Sequence, residues 1–235
     1  IHFHKASFPS SITTEELVKE IALLNKLPNM CGIIIQLPLP ETIDRQTVLD
    51  AIDPRLDVDC LGTQASTRFY KGEVDIGFPT ALACMALLDS VLPDLNPPAG
   101  GKNVVVLGQG DLVGKPVAAL LEFRGISPVV IRSKTPNKEE LIKQADIIIS
   151  GIGKGKHVTG DMIKKGVILV DAGTSESDDE KSGVRASIVG DVDLESVKDV
   201  ASYVSPVPGG VGPVTVAMLL NNVLTVAKSS RKSPQ

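Results

Sequence analysis

Val104-Val-Val-Leu-Gly-Gln-Gly-Asp-Leu-Val-Gly-Lys-Pro116 is an apolar run that leads straight into a loop with glycines at 108, 110 and 114. Four consecutive Val and Leu residues suit a strand buried on both faces, the kind that parallel sheets use. A helical pattern follows at once, from Val113 to Phe123. Between such a strand and such a helix, glycines let the backbone come close to a pyrophosphate, while the N–H groups of the helix start supply partial positive charge. Gly108, Gln109, Gly110 and Gly114 are therefore candidate cofactor-binding residues. The spacing G-x-G-x-x-x-G is one residue longer than the usual dinucleotide fingerprint, and a tight strand-to-helix turn is the competing reading. The flanking strand and helix favour the phosphate loop.

Downstream the pattern stays regular. Strands are expected at Val129–Ile131, Ile147–Ser150 and Val167–Val170, and helices at Asn137–Gln144, Thr159–Lys165 and Leu194–Val200. Alternation at such short intervals predicts an α/β fold with a Rossmann-type, doubly wound parallel sheet. The strand after the glycine loop ends in Ile131-Arg-Ser-Lys134. An acid there would bind the ribose hydroxyls of NAD and repel a 2′-phosphate. The basic, acid-free turn instead suits NADP, with Arg132 and Ser133 as donors and Lys134 as a supporting charge. A solvated surface turn has the same composition, so NAD stays open as the alternative.

Upstream, Thr13 to Leu24 reads as an amphipathic helix, with Thr13 as N-cap and Glu16 completing a capping box. Gly32 to Gln36 fits a short buried strand ending at Pro38 and Pro40. Helices are expected at Ile43–Ile52 and Thr80–Leu92, with a polar connection at Leu56–Arg68 between them. Pro93 to Gly101 gathers three prolines and two glycines, and is the best domain boundary in the chain. A final helix is expected from Pro213 to Ala227, followed by a frayed basic tail.

Composition excludes several classes of function. Of 235 residues 43% are hydrophobic but only 3% aromatic, with no Trp, so the core must be aliphatic and base-stacking platforms are lacking. A net charge of −4 likewise disfavours nucleic acid and anionic membrane as partners. No uninterrupted apolar run reaches a membrane-spanning length. Cys31, Cys60 and Cys84 form no C-x-x-C pair, and His2, His4 and His157 form no ligand cluster. No metal site is assigned, and a reducing, cytoplasmic compartment is expected.

Four separated stretches resemble one family. Gly32-Ile-Ile-Ile-Gln-Leu-Pro-Leu-Pro40 is similar to the G-I-L-V-Q-L-P-L-P signature of the methylenetetrahydrofolate dehydrogenase/cyclohydrolase family, and Asp57-Val-Asp59 to its K-D-V-D-G. Val113-Gly-Lys-Pro116 resembles the end of its G-R-S-x-x-V-G-K-P loop. Ser205-Pro-Val-Pro-Gly-Gly-Val-Gly-Pro-Val-Thr215 is close to T-P-V-P-G-G-V-G-P-M-T, the most specific match. Ala145-Asp-Ile-Ile-Ile149, Val170-Asp-Ala-Gly-Thr174 and Gly190-Asp-Val-Asp193 match weaker blocks in the same order.

The resemblance implies hydride transfer from methylenetetrahydrofolate to NAD(P)+, followed in bifunctional members by hydrolysis of the methenyl product to formyltetrahydrofolate. It implies that Asp59 anchors the pterin, that Gln36 stands beside the family's catalytic Lys, and that Leu37, Pro38, Pro208, Gly209 and Gly210 border the substrate. Read without the resemblance, Asp59 is a turn acid or helix cap. Thr174 falls on the residue bordering the nicotinamide. The implied organisation is a smaller α/β folate-binding lobe, residues 1–96 completed by the C-terminal helix at 213–235, and an NAD(P)-binding domain at 97–212, with the active site in the cleft between them. A homodimer is implied as well.

Departures matter too. The family's general acid/base is a Lys in a Y-x-x-x-K helix, and neither Tyr70 nor Tyr203 has a Lys at that spacing. Hydrolysis needs proton transfers worth about 10²–10⁴-fold in rate, so cyclohydrolase activity is expected to be impaired first. Gln109 and Gly110 replace the family's Arg and Ser, which weakens the case for NADP. Cys60 stands where the family has Gly, and Phe78-Pro-Thr-Ala81 replaces P-C-T-P. The alternative is a truncated or decayed member that binds nucleotide without catalysis.

Overall fold

A computed structural model describes residues 2–93, 101–177 and 187–232, which form two compact units. One comprises Ile1–Gly77 with Asn221–Gln235, the other Phe78–Leu220. Most of the expected boundary, residues 94–100, lies outside the described residues. The dividing lines fall at Gly77 and Leu220 rather than near 96 and 212. The reason is α4 (Pro79–Val91), which packs on residues 114–123 and 168–171 of the larger unit and buries Ala81, Cys84, Met85 and Leu88.

The larger unit is a five-stranded, all-parallel sheet of β1 (Val104–Leu107), β2 (Val129–Ile131), β3 (Ile147–Ser150), β4 (Ile168–Asp171) and β7 (Tyr203–Val204), in the order β2-β1-β3-β4-β7. Every residue of β1 and β3 is buried, as central strands covered on both faces require. Val105, Leu107, Ile148, Val167 and Leu169 anchor one core layer with Ile142 of α6 (Lys138–Gln144) and Val197 of α7 (Leu194–Val197). Helix α5 (Gly114–Phe123) follows β1 and buries Val117, Ala118 and Leu121. From β1 the chain steps outward to β2, then crosses back to β3 on the other side. That reversal is the topological switch point at which doubly wound sheets bind ligands, outside the carboxyl ends of the strands.

Three features here were not expected, the first being the edge strand Tyr203–Val204. The Thr159–Lys165 helix is only a 3-10 turn, Gly160–Met162. An antiparallel pair, β5 (Ser175–Ser177) and β6 (Ser187–Val189), extends from the end of β4.

In the smaller unit, α1 (Thr14–Leu24) has the capping box: Glu16 N–H donates to Thr13 Oγ1 at 3.2 Å and Thr13 N–H to Glu16 Oε2 at 2.9 Å, while Leu17 and Ile21 face the core. Helix α2 (Arg45–Asp50) is capped by Asp44. Gly32–Gln36 is not a strand. Ile33 makes one parallel bridge to Asp57, its N–H donating to Leu56 O, and the partner then turns away because the Asp57 carboxylate folds residues 58–62 around itself. The polar connection expected at Leu56–Arg68 contains a helix, α3 (Thr63–Tyr70), which buries Ala65 and Phe69 and whose first residue, Thr63, donates to the Asp50 carboxylate.

The final helix, α8, runs from Val211 to Lys232, well into the expected tail. Its first half belongs to the larger unit and its second to the smaller. By length and composition alone, Val211–Ser229 could cross a membrane, a test that core helices also pass. Buried Asn222 lies within it.

Candidate active site

The smaller unit sorts its two neighbouring acids into different roles. Asp57, 1% exposed, accepts from Gly62 N at 2.7 Å and Leu61 N at 3.3 Å, so it is the turn acid that leads into α3. Asp59 is half-buried and accepts no hydrogen bond among the described residues. Burial, and secondarily the charge of Asp57, push its carboxyl up to about 6. The backbone around it is pinned from α8, where the Asn222 amide donates to Val58 O at 2.8 Å and to Gly77 O at 2.7 Å. Asn222 Oδ1 is buried without a partner among the described residues.

Cys60 adopts φ +59°, a left-handed conformation that explains why glycine suits this position and that costs a side chain ~1–2 kcal/mol. Its thiol is fully buried and pushed up to about 12, by burial first and then by the two acids, which leaves it protonated and packed rather than nucleophilic. Gln36 is exposed, with Nε2 donating to Leu37 O at 3.1 Å, and Leu37–Pro38 is a cis peptide. The Ile33–Asp57 bridge joins the two segments at that single point, before Gln36 on one and Asp59 on the other. A cavity of about 240 Å³ between Asp50, Asp57 and Thr63 includes neither Gln36 nor Asp59.

In the larger unit, the residues proposed for the nucleotide come from the carboxyl ends of neighbouring parallel strands. At the end of β1, Gly108 has φ +94°, and a Cβ there would lie 2.6 Å from Gly151 O in the turn that follows β3. A Cβ on Gly114 would drive into Gly108 O, and nothing lies within 4 Å of where a Cβ on Gly110 would be. The two turns thus meet backbone to backbone, with open space over Gly110. Close backbone approach beside open space is the shape that an extended phosphate chain needs. The helix start offers fewer open amides than expected, because Lys115 N–H donates to Gly110 O at 3.1 Å and Pro116 has none. Next to Gly108, Arg132, Ser133 and Lys134 form an exposed turn closed by Arg132 N–H to Thr135 Oγ1 at 2.8 Å.

Beyond β4, Thr174 is exposed, and beyond β7 the Ser205–Gly210 loop carries the second cis peptide, Val207–Pro208, with Gly209 at φ +106°. These loops share two buried acids for which the sequence assigned no role. Asp171 accepts from Gly173 N, Asp191 N and Val192 N at 2.9–3.1 Å, while its own N–H donates to Ser205 Oγ at 2.7 Å. Burial raises its carboxyl to about 6 despite those donors, and the charge of Asp191 adds to the rise. Asp191 accepts from Ser150 Oγ, Ile152 N and Lys154 N at 2.7–2.8 Å. The signal was present in D-A-G and G-D-V, acids next to glycines at strand ends, but nothing local shows that residues 20 apart meet. Cys84 of α4 is buried and near Asp171, its thiol pushed up to about 12 by burial and then by that charge.

A switch point edged with glycine turns puts the larger unit in the dinucleotide-binding class of α/β domains. Known proteins narrow the class. The profile for the tetrahydrofolate dehydrogenase/cyclohydrolase NAD(P)-binding domain matches residues 79–231 and that for the catalytic domain matches 1–59; the chain belongs to this family. It is 40% identical to the bifunctional protein FolD of Dichelobacter nodosus over 96% of this chain and 75% of that one, and 41% identical to that of Nautilia profundicola over 96% and 76%. Among solved structures, the bifunctional FolD of Campylobacter jejuni superposes with a TM-score of 0.84 at 38% identity, covering 94% of this chain and 75% of its own. The Trypanosoma brucei methylenetetrahydrofolate dehydrogenase-cyclohydrolase, solved with NADP cofactor and inhibitor, gives 0.87 at 38% identity, with 96% and 76% covered.

Proposed function

We propose that the protein oxidises methylenetetrahydrofolate with NADP+ as hydride acceptor, and that the hydrolysis of the methenyl product to formyltetrahydrofolate, which the family also performs, is impaired in this chain. The carrying observation is Asp59, a half-buried carboxylate with no donor of its own among the described residues. Burying such a group without a partner is costly, and a pterin's 2-amino group and adjacent ring N–H supply two parallel donors. Asn222 and the Asp57 turn hold the peptide that carries it.

When bound, NADP+ supplies an acceptor for the two electrons and hydrogen leaving the methylene carbon. The residues around it bind and orient. Gly108 and Gly110 leave room for the pyrophosphate, Arg132 and Ser133 receive the 2′-phosphate, and Thr174 with Pro208, Gly209 and Gly210 borders the nicotinamide and substrate. Gln36 stands where the family's Gln lies beside its catalytic Lys, with Leu37 and Pro38 shaping the pterin edge. A homodimer in the cytoplasm completes the reading, checked by light scattering and by fractionation.

The test is titration of purified protein with NADP+, NAD+ and methylenetetrahydrofolate. Reduced-nicotinamide absorbance reports dehydrogenation, and methenyl absorbance its hydrolysis. Turnover with both ligands, and none with either alone, is the expected result. Nucleotide binding without turnover would favour a binding module, the reading supported by Cys60 at a left-handed position beside Asp59. A single charge-assisted phosphate contact is worth about 1.5–3 kcal/mol, so Arg132→Glu should weaken NADP+ by about 10–100-fold and leave NAD+ nearly unchanged. Equal weakening of both nucleotides would remove Arg132 from the 2′-phosphate.

A further inference from the structure

We propose that Asp191 is a positioning residue for the nicotinamide nucleotide, a buried carboxylate clasp that holds the loop after β3 against the phosphate loop and the loop after β4 beside it. The proposal rests on the dehydrogenase reading above and adds to it a residue that touches neither ligand.

Asp191 is completely buried, and no Lys, Arg or His pairs with it among the described residues. A charge in that position persists only if hydrogen bonds replace its water. Its three donors all come from the end of β3: Oδ2 takes Ser150 Oγ at 2.8 Å and Ile152 N at 2.7 Å, and Oδ1 takes Lys154 N at 2.8 Å. Residues 150–154 are therefore wrapped around one carboxylate, and their backbone shape is set from inside the protein.

That shape is transmitted outward by close backbone approach. A Cβ on Gly151 would lie 2.6 Å from Val113 Cγ1 at the start of α5, and Gly151 O faces Gly108. Moving the 150–154 turn by even a few tenths of an ångström moves the wall of the phosphate cradle.

The clasp has a second side. Gly173 admits no side chain, because a Cβ there would overlap the Asp191 carboxylate, and Gly190 admits none because of Asp171. Asp191 N–H donates to Asp171 Oδ1 at 3.1 Å, which ties the clasp to β4 and through Ser205 to the proline-glycine loop. Two neighbouring buried acids, each satisfied mainly by backbone donors at strand ends, are an expensive way to close turns that water could serve. The arrangement is explained if fixed geometry at this edge is what it supplies.

Asp191→Asn keeps the volume but turns one acceptor into a donor facing an N–H, so the 150–154 turn must shift. The expected result is a KM for NADP+ raised at least tenfold. Folate KM, and kcat at saturating nucleotide, should change less than about threefold. Gly173→Ala reaches the clasp from the other side and should give the same split. Ser150→Ala removes one of the three donors and should raise the nucleotide Kd about twofold to fivefold, read by fluorescence titration even if the other variants fold poorly.

A purely structural residue would lower the melting temperature without this split. Unchanged nucleotide KM in Asp191→Asn, or unchanged Kd in Ser150→Ala, overturns the proposal. Loss of nucleotide binding and turnover in the wild type would instead overturn the dehydrogenase reading, so the two failures are distinguishable.

Discussion

Asp59→Asn should lower kcat/KM for methylenetetrahydrofolate oxidation by about 10²–10⁴-fold while leaving nucleotide Kd within twofold. Two charge-assisted hydrogen bonds at about 1.5–3 kcal/mol each give that range. The amide replaces one acceptor with a donor that opposes the pterin N–H. The wild type should also show a pH signature. With its carboxyl raised from 3.8 to about 6, Asp59 is ionised above that value and protonated below it. Folate affinity should fall as pH drops through about 6, and Asp59→Asn should be flat across the same window.

The same shift makes the residue a burden on the fold. Between pH 3.8 and about 6 the native state holds a proton that the unfolded chain has released. Stability contributed by this group is therefore present below the lower value and lost as pH rises through the upper one. At neutral pH the buried anion destabilises the unit until a ligand supplies its donors, so Asp59→Asn should melt at the same temperature as wild type or higher. Improved stability with lost activity is the pattern of a functional site. An Asn variant with wild-type KM and kcat would remove Asp59 from the pterin site.

What could be read from the sequence follows from how local each cause is. The α1 capping box and the β1 strand with its glycine loop are set by residues within a few positions of each other, and they were legible almost to the residue. Helix α3 was not, because T-Q-A-S-T-R-F-Y buries only Ala65 and Phe69 and so shows one apolar repeat rather than a stripe. The apolar look of Gly32–Gln36 suggested a strand, yet a strand needs a partner along its length, and Asp57 bends the partner away after one bridge. Asp57 and Asp59 are indistinguishable as letters. Only burial and donor geometry make one a turn acid and the other a candidate ligand.

The Asp171–Asp191 pair was hidden for a different reason. Its members meet through the antiparallel excursion of β5 and β6, whose register pairs Ser175 with Val189. That brings Gly173 and Gly190 opposite the two carboxylates. The glycines were visible in the sequence, but their cause was tertiary.

Gly108→Ala should abolish measurable nucleotide binding, a loss of at least about 100-fold in affinity, and should also destabilise the larger unit. The position combines φ +94° with a Cβ contact of 2.6 Å to Gly151 O and 3.1 Å to Gly151 C. Both are backbone atoms held by the parallel β1–β3 pairing, in which Gly151 N–H donates to Leu107 O at 2.9 Å, so no side chain can swing aside. Backbone strain of about 1–3 kcal/mol and a similar overpacking cost both apply. At roughly 2–4 °C per kcal/mol for a chain of this size, the melting temperature should fall by several degrees to about 20 °C. Gly110→Ala is the control, since its Cβ would meet nothing within 4 Å. It should melt within a degree or two of wild type, yet bind nucleotide at least tenfold more weakly, because the added methyl occupies the space left for the pyrophosphate. If Gly110→Ala binds NADP+ as tightly as wild type, the space over that glycine is not where the phosphates lie. If Gly108→Ala does so as well, the loop is only a tight turn between strand and helix.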